Sequence, residues 1–201
     1  RYVGILDYGI GNVRSVHNML WKIGSKPLLV KHPEDLKRVN KLILPGVGSF
    51  DSAMVNLEKL GFIDSLVDYA KNNYLLGICL GMHVLGTHSQ EGNKRGLNLI
   101  PGKIIKFSNL TLPVPHVGWN YVDYKDNVLN ISNMPKNRYY FVHSYYYKPD
   151  DSNHEMAATN YDINFSSAIS NGENIFGTQF HPEKSHHFGK DLLTKFIGLP
   201  C

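Results

Sequence analysis

The first half of the chain alternates between short apolar runs and segments in which apolar residues recur at helical spacing. Residues 3–6 form a continuous apolar run, as expected of a buried strand, and apolar residues then recur every three or four positions over residues 13–23. The alternation continues to a strand predicted at residues 74–78. Further strands are predicted at residues 27–30 and 42–44, and further helices at residues 33–36, 54–60 and 63–70. Strands that alternate with helices are typical of βαβ units with parallel strands.

The second half of the chain lacks this alternation and consists mainly of strand-like runs. Strands are predicted at residues 103–107, 128–131, 139–147, 156–159 and 174–179, and an amphipathic helix at residues 187–197. Because strands that follow one another without helices usually pair antiparallel, we expect an antiparallel portion beside the parallel one. The predicted fold class is therefore α/β with a mixed sheet.

Length and composition indicate one globular domain that spans residues 1–201. A chain of 201 residues suits a single domain of generous size, and we find neither a repeat nor a flexible linker. The contents of 42% hydrophobic and 19% charged residues are ordinary for globular proteins. Disordered and fibrous classes are therefore excluded.

Cysteine usage, apolar segments and charge limit the possible environments and partners. Two cysteines give no disulfide framework, and we find no signal peptide or membrane-spanning run, so we expect a cytoplasmic protein without a membrane partner. The formal net charge of +4 is scattered along the chain, so we expect no nucleic-acid partner. His186 and His187 lack further ligands at metal-binding spacing, and Gly9 and Gly11 lack the third glycine of a dinucleotide fingerprint. We expect no metal and no cofactor.

The strongest chemical signal is Cys79, which follows the predicted strand at residues 74–78. Gly77-Ile78-Cys79-Leu80-Gly81 has the spacing of the G-x-S-x-G nucleophile elbow, with Cys in place of Ser. The two glycines allow a crowded strand-to-helix turn, and the positive end of the following helix favours a thiolate. A buried structural cysteine is the alternative. The flanking glycines favour the nucleophile.

A thiol nucleophile needs a base, and the base needs a carboxylate to orient it. His181-Pro182-Glu183 supplies both side chains far downstream of Cys79, so that only the fold can bring them together. This motif alone is weak, because a surface loop could carry it by chance. Together with the elbow, it predicts a catalytic triad of Cys79, His181 and Glu183.

With these residues in place, the chain resembles the class I glutamine amidotransferases, and in particular the glutaminase subunits of imidazole glycerol phosphate synthases. The segments that carry the resemblance, besides the elbow, are residues 7–12 (DYGIGN), 45–50 (PGVGSF), 115–120 (PHVGWN), 140–145 (YFVHSY) and 179–185 (QFHPEKS). The resemblance runs nearly end to end. It implies a flavodoxin-like three-layer domain around a mixed, mostly parallel sheet, in agreement with the pattern of strands and helices.

The resemblance implies that the protein hydrolyses L-glutamine to glutamate and ammonia. Cys79 would attack the side-chain amide carbon to form a glutamyl thioester, while His181 transfers protons and Glu183 orients the imidazole. Leu80 would donate one oxyanion N–H, and the turn Val47-Gly48 a second. Flanking glycines would let that second peptide rotate between an idle and a donating orientation, under control of the partner.

The resemblance also implies which residues bind glutamine. Glu91 would bind the α-ammonium group, the backbone of Ser144 and Tyr145 would bind the α-carboxylate, and Gly46 would lie against the substrate.

Position 83 departs from the family pattern, which usually has Gln there to help hold the substrate. His83 keeps a donor and an acceptor, but its reach is shorter and it can gain a charge near neutral pH. Since it follows Cys79 by one helical turn, His83 is both a predicted substrate-binding residue and an alternative base to His181.

A partner is implied because the released ammonia needs an acceptor enzyme. We expect a heterodimer with a (β/α)8-barrel cyclase that makes imidazole glycerol phosphate in histidine biosynthesis and receives channelled ammonia, with Asn12 and Trp119 near the interface. Two alternatives stay open. Similar subunits supply ammonia for amidation of nucleotide-linked sugars in surface polysaccharide synthesis, and the same fold could serve as a catalytically weak regulatory or interaction module.

Overall fold

The computed structural model describes residues 2–125, 127–129, 131 and 137–200. The strands in this part of the chain are β1 (Tyr2–Leu6), β2 (Leu28–Val30), β3 (Val39–Leu44), β4 (Tyr74–Ile78), β5 (His88–Ser89), β6 (Gly102–Lys106), β7 (His116–Tyr121), β8 (Asp123–Tyr124), β9 (Arg138–His143), β10 (Tyr145–Pro149), β11 (Glu155–Tyr161), β12 (Ile163–Ser170) and β13 (Ile175–Thr178). The α-helices are α1 (Val13–Lys22), α2 (Phe50–Lys59), α3 (Phe62–Tyr69), α4 (Leu80–His83) and α5 (His186–Ile197). Short 3-10 helices cover Pro33–Arg38, Ser152–His154 and Pro182–Lys184. None of the helices described here combines the length and apolar character needed to cross a membrane.

The strands form a large mixed sheet and a separate small sheet. The large sheet runs in the order β2-β1-β3-β4-β13-β12-β10-β6-β5, and β11 and β8 continue from β12. The strands from β2 to β13 in this order are parallel, whereas β12 pairs antiparallel with β13, β10 and β11. The small sheet pairs β7 with β9 antiparallel, from His116 opposite His143 to Tyr121 opposite Arg138. The prediction of a mixed sheet is confirmed.

Helices cover both faces of the parallel half of the large sheet. Successive residues of β3 point to opposite faces. Leu42 and Leu44 join the hydrophobic cluster that includes α2 and α3, whereas Ile43 joins the cluster that includes α1 and α5. The resulting helix–sheet–helix arrangement is the predicted three-layer architecture.

The first half of the chain matches its predicted elements closely, except at residues 33–36. The predicted strands there correspond to β1, β2, β3 and β4, and the longer predicted helices to α1, α2 and α3. Pro33–Arg38 forms a 3-10 helix instead of an α-helix. This segment ends directly at β3, so it is too short to gain the cooperative stability of an α-helix.

Two strand predictions in the second half are wrong. Residues 139–147 do not form one strand, because the chain changes sheets at Ser144, between β9 and β10. In the predicted strand at residues 128–131, the described residues lie in a turn or irregular segment, and Asn130 lies outside the described residues. The side chain of Asn127 accepts from Ile131 N–H and donates to its carbonyl oxygen, both at 3.2 Å, which closes the segment into a turn.

The turn between β4 and α4 is closely packed at its two glycines. A Cβ on Gly81 would collide with the Leu44 carbonyl oxygen at the end of β3, and a Cβ on Gly77 would collide with the backbone of Gly81. Since backbone atoms cannot rotate away as side chains do, both positions exclude any larger residue.

We expect Gly81→Ala to destabilise the protein by about 3 kcal/mol, because the new methyl group forces the end of β3 away from the turn. Urea unfolding measures the change. Gly198→Ala is the matched control, since a Cβ there would meet its nearest atom at 3.2 Å, at the exposed end of α5. Equal unfolding midpoints for the two variants would contradict the packing argument.

Candidate active site

Cys79 lies at the carboxyl end of β4, in the parallel half of the large sheet. Its φ of 53° and ψ of −111° are unusual for a residue other than glycine. Its N–H donates to the Thr178 carbonyl at 2.7 Å, and its own carbonyl accepts from the N–H groups of Met82 and His83 at 2.9 and 3.1 Å. These bonds hold a strained backbone, as expected of a nucleophile elbow.

The parallel pairing of β4 with β13 brings His181 to Cys79. Ile78 and Thr178 are partners in this pairing, so both strands end at the same edge of the sheet. His181 follows β13 closely, and its N–H donates to the Tyr140 carbonyl of β9 at 2.9 Å. Residues that lie far apart in the sequence therefore meet at one edge.

Glu183 orients the His181 ring. Nδ1 of His181 lies 2.8 Å from Oε1 of Glu183, and both side chains are almost completely buried. Burial alone would lower the pKa of His181, but its hydrogen bonds and charge interactions with Cys79 and Glu183 raise it to about 10. The ring is therefore protonated at neutral pH, between the sulfur and the carboxylate.

A cavity of about 350 Å³ lies over Cys79 and His181. Most of the predicted site residues line it, namely Val47, Gly48, Cys79, Leu80, His83, Glu91, Ser144, Tyr145 and His181. The volume falls in the range of small-molecule sites. In the described part of the chain, no group of three His, Cys, Asp or Glu side chains is arranged to hold a metal ion.

Four of the predicted site residues lie outside this lining. Glu183 stands behind His181. Gly46 lies in close contact with the turn after β4, because a Cβ on it would stand 2.6 Å from the Gly81 nitrogen. This close packing leaves no room for a side chain at position 46, and the predicted contact of Gly46 with substrate stays a prediction. Asn12 is the N-cap of α1, and Trp119 lies on β7.

Comparison with known proteins identifies the family. The family model described as glutamine amidotransferase class-I matches residues 4–198. The chain belongs to the class-I glutamine amidotransferases. The predicted enzyme class is confirmed.

Curated relatives of this amidotransferase match over nearly its whole length. The imidazole glycerol phosphate synthase subunit HisH 2 of Methanococcus maripaludis is 47% identical, over 97% of this chain and 98% of that protein. The subunit HisH of Leptospira interrogans is also 47% identical, over 98% of this chain and 100% of that protein. The subunit HisH 2 of Pseudomonas aeruginosa is 42% identical, over 97% of this chain and 98% of that protein.

Solved structures confirm the predicted flavodoxin-like fold. A crystal structure described as a glutamine amidotransferase matches with a TM-score of 0.78 at 16% identity, covering 98% of this chain and 97% of that one. The structure of PurLQS from Thermotoga maritima matches with a TM-score of 0.77 at 18% identity, with the same coverage.

In this amidotransferase, the turn after β3 lies beside the cysteine and is held by Tyr8. The Tyr8 hydroxyl donates to the Pro45 carbonyl at 2.8 Å, and burial raises its pKa, so it remains a donor. Gly48 has a φ of 112°, which glycine adopts without strain. The turn is therefore fixed at Pro45 and conformationally free at Gly48, where it lines the cavity.

Glu91 contributes a carboxylate to one end of the cavity. Its Oε2 accepts from the N–H of Phe50, the first residue of α2, at 3.1 Å. Burial raises the pKa of Glu91, and the Phe50 N–H opposes this shift. The start of a helix favours a negative charge and therefore the ionised form of Glu91. The negative Glu91 carboxylate makes this end of the cavity suitable for a cation.

Two buried imidazole rings support the segment Ser144–Tyr145, which also lines the cavity. His143 Nδ1 lies 2.7 Å from the Tyr145 carbonyl oxygen, and His143 Nε2 lies 2.9 Å from His116 Nδ1. Because a carbonyl only accepts, His143 Nδ1 carries its proton, and Nε2 accepts from His116. Burial lowers the pKa of both rings, that of His116 to about 4, so both remain neutral as this arrangement requires.

The geometry favours His181 over His83 as the base. His83 Nε2 lies 2.7 Å from Gln179 Oε1, and burial lowers the pKa of His83 to about 4. Among the residues that the structure describes, none places a carboxylate in hydrogen-bond contact with this ring. The sequence analysis assigned no role to Gln179 or His143. The signal that could have found them is their position in the motifs QFHPEKS and YFVHSY, close to the predicted site residues His181 and Ser144.

An exposed apolar patch lies on the small sheet, next to the cavity. Its members are Val117, Trp119, Tyr121 and Val142. The three β7 residues alternate along the strand and therefore share a face, and Val117 pairs with Val142 of β9. Val142 also lines the cavity, so the patch reaches its rim. Contiguous apolar surface of this kind marks interaction sites.

We expect the free energy of unfolding to fall as the pH decreases from about 6.5 to about 4, because His83 and His116 are neutral in the fold but take up protons in the unfolded chain in this range. His83→Gln removes one of these groups. The change of unfolding free energy with pH should therefore become smaller by up to about 1.4 kcal/mol per pH unit. His181 acts oppositely, since its raised pKa gives stability that is lost as the pH rises towards about 10. Urea unfolding at several pH values measures both effects. Identical slopes below pH 6.5 would contradict the buried neutral state of His83.

Proposed function

We propose that this chain is the glutaminase subunit of an imidazole glycerol phosphate synthase. It hydrolyses L-glutamine to glutamate and ammonia and passes the ammonia to a cyclase subunit in histidine biosynthesis. The observation that carries this proposal is the 47% identity, over 97% of the chain, to a protein named as such a subunit. The contacts among Cys79, His181 and Glu183 beside a small-molecule cavity support the glutaminase step.

The triad performs the reaction in two halves. The Cys79 sulfur attacks the side-chain amide carbon of glutamine, and protonated His181 gives its proton to the departing nitrogen, so that ammonia leaves and a glutamyl thioester remains. Neutral His181 then takes a proton from water as the water oxygen attacks the thioester carbon. The carbon–sulfur bond breaks, which releases glutamate and regenerates the thiolate and the imidazolium. Glu183 holds the ring in the tautomer that both halves need.

The negative oxygen that forms in each half needs N–H donors. We assign the N–H of Leu80, directly after the nucleophile, and one N–H of the turn Val47-Gly48, which also lines the cavity. Since Tyr8 fixes one end of this turn and Gly48 leaves the other free, rotation of one peptide would switch the second donor on or off.

The cavity also offers groups for the two charged ends of glutamine. We assign Glu91 to the α-ammonium group, because its carboxylate stands at the start of α2. The backbone of Ser144 and Tyr145 is assigned to the α-carboxylate. His143 holds this segment through its hydrogen bond to the Tyr145 carbonyl oxygen, and His116 holds the His143 ring in place.

The cyclase subunit, a (β/α)8-barrel, would bind over the apolar patch. The patch adjoins the cavity through Val142, so ammonia released there would enter the partner without crossing bulk water. This arrangement gives a heterodimer. The presence of only two cysteines in the sequence fits its assignment to the cytoplasm.

Glutamate release tests the proposed activity. We expect slow release by the purified chain and strong stimulation by the cognate cyclase subunit with its nucleotide ligand bound. Cys79→Ser and His181→Ala should each lower the stimulated kcat by about a thousandfold or more. Cys201→Ser is the matched control for the loss of a thiol and should retain the stimulated rate.

Three results would contradict parts of this assignment. Unchanged turnover of His181→Ala would remove His181 from the triad, and fast release without any partner would remove the need for a cyclase. No release with the cyclase, while a thiol reagent labels Cys79, would favour another acceptor synthase, such as one that amidates nucleotide-linked sugars.

Trp119→Ala tests the proposed interface. Trp119 is 43% exposed within the apolar patch, and loss of such an aromatic residue should weaken cyclase binding roughly ten- to a hundredfold in Kd, measured by calorimetry. Trp21→Ala is the matched control, because Trp21 is 60% exposed and lies near the end of α1. Since α1 connects the parallel strands β1 and β2, it runs back along the sheet, away from the carboxyl strand ends where Cys79 lies. Equal effects of the two substitutions would contradict the proposed interface.

A further inference from the structure

A buried carboxamide lies beside the nucleophile. Gln179 follows β13 directly and is completely inaccessible to solvent. Its Nε2 lies 3.8 Å from Cys79 Sγ, and its Oε1 lies 2.7 Å from His83 Nε2. Both ends of the amide therefore have a partner, and neither partner is water.

The two ends of an amide are not equivalent, and its partners determine which way it points. A thiolate accepts hydrogen bonds but cannot donate them, so the NH₂ end of Gln179 must face a charged sulfur. The oxygen then faces His83, which has to donate. Burial keeps the His83 ring neutral, and a neutral imidazole has one N–H, which must be on Nε2 to meet the Gln179 oxygen. The opposite orientation would place the amide oxygen against the anionic sulfur.

We propose that Gln179 stabilises the Cys79 thiolate by donating a hydrogen bond to its sulfur, and that His83 is a positioning residue that fixes the Gln179 amide in the donating orientation. This inference rests on the proposed role of Cys79 as the nucleophile. It replaces the expectation that His83 itself binds substrate or acts as a base. The donor is most effective when the sulfur carries charge, before attack on glutamine and again when the thioester breaks.

The sulfur has different partners in its two protonation states. As a thiol, it donates to the Val142 carbonyl oxygen, 3.8 Å away. As a thiolate, it accepts from Gln179 and from His181. Titratable groups near Cys79 and Gln179 in the described part of the chain include Tyr8, whose charge interacts with that of Cys79, Glu183, which is bonded to His181, and His143, whose charge interacts with those of His83 and His181. Glu91 and Lys184 also line the cavity over the sulfur. These groups also titrate, so the pH dependence of one protein alone cannot be assigned to Cys79. A comparison between variants that retain all of these groups isolates the effect of the substituted residue.

The rate of Cys79 alkylation by iodoacetamide as a function of pH tests the proposal. The assay uses the full chain in a Cys201→Ser background, so that only Cys79 reacts. In Gln179→Met the sulfur loses its amide donor, and we expect the midpoint pH of alkylation to rise by about one unit, with roughly a tenfold loss of rate below that midpoint. Gln90→Met is the matched control, because Gln90 is an exposed glutamine whose side chain accepts from Lys106 N–H, and its profile should be unchanged.

His83 is tested through its dependence on Gln179. His83→Phe removes the N–H and should shift the midpoint in the same direction as Gln179→Met, whereas His83→Gln retains a donor and should restore most of the original profile. If His83 acts through Gln179, His83→Phe has no further effect in the Gln179→Met background. Thermal unfolding of each variant confirms that the compared proteins are folded, and Gln179→Glu provides a near-isosteric variant, whose carboxylate should raise the midpoint further.

Two outcomes would overturn the proposal. An unchanged alkylation profile in folded Gln179→Met and Gln179→Glu would remove Gln179 as a donor. Additive effects of His83→Phe and Gln179→Met would show that His83 does not act through the amide. Alkylation needs neither glutamine nor a cyclase, so it tests this inference separately from the proposed function. If the alkylation midpoints shift as expected but no cyclase stimulates glutaminase activity, the proposed function is contradicted and this inference stands.

Discussion

The candidate active site depends on one strand pairing, that of β4 with β13. Cys79 directly follows one strand and His181 closely follows the other, and the parallel register of Ile78 with Thr178 makes both strands end at the same edge. The pairing continues beyond the strands through the bond from Cys79 N–H to the Thr178 carbonyl. Gln179, between that carbonyl and His181, is carried to the sulfur by the same register. A shift of one residue would turn these side chains to the opposite face.

Electrostatics then differentiate the histidines that the fold gathers around the sulfur. His83, His143 and His181 all line the cavity and are all buried, and burial lowers the pKa of an imidazole. Only His181 has a carboxylate and the cysteine as partners, and only its pKa is raised. The other two rings remain neutral, so they serve as hydrogen-bonding groups of fixed direction. One cationic ring and two neutral rings therefore lie around the Cys79 sulfur.

The sequence was sufficient to predict the parallel half of the fold and to single out Cys79, His181 and Glu183, which the fold brings together, because both predictions depend on local patterns. Gly77 and Gly81 signal the elbow, and β1 to β4 are apolar runs separated by helices. The second half was harder, since β12 is buried although it contains several serines. In β7 the apolar residues alternate with polar ones, but the apolar side chains are exposed and the polar His116 is buried. The break at Ser144 has no local signal, because the aromatic alternation continues through it. The role of Gln179 depends on contacts across strands, which no single segment reveals.

Strand β9 connects the exposed apolar patch to His181 and to the segment Ser144–Tyr145. Through Val142 it contributes to both the apolar patch and the cavity, and through His143 it leads to the segment Ser144–Tyr145. It also holds His181, since the Tyr140 carbonyl accepts from His181 N–H, and Tyr140 N–H donates to Ser185 at the start of α5. A partner that binds on β7 and β9 would therefore act on His181, the segment Ser144–Tyr145 and the Val142 carbonyl together. Coupling between partner binding and catalysis would need no separate relay, because one strand contacts all three.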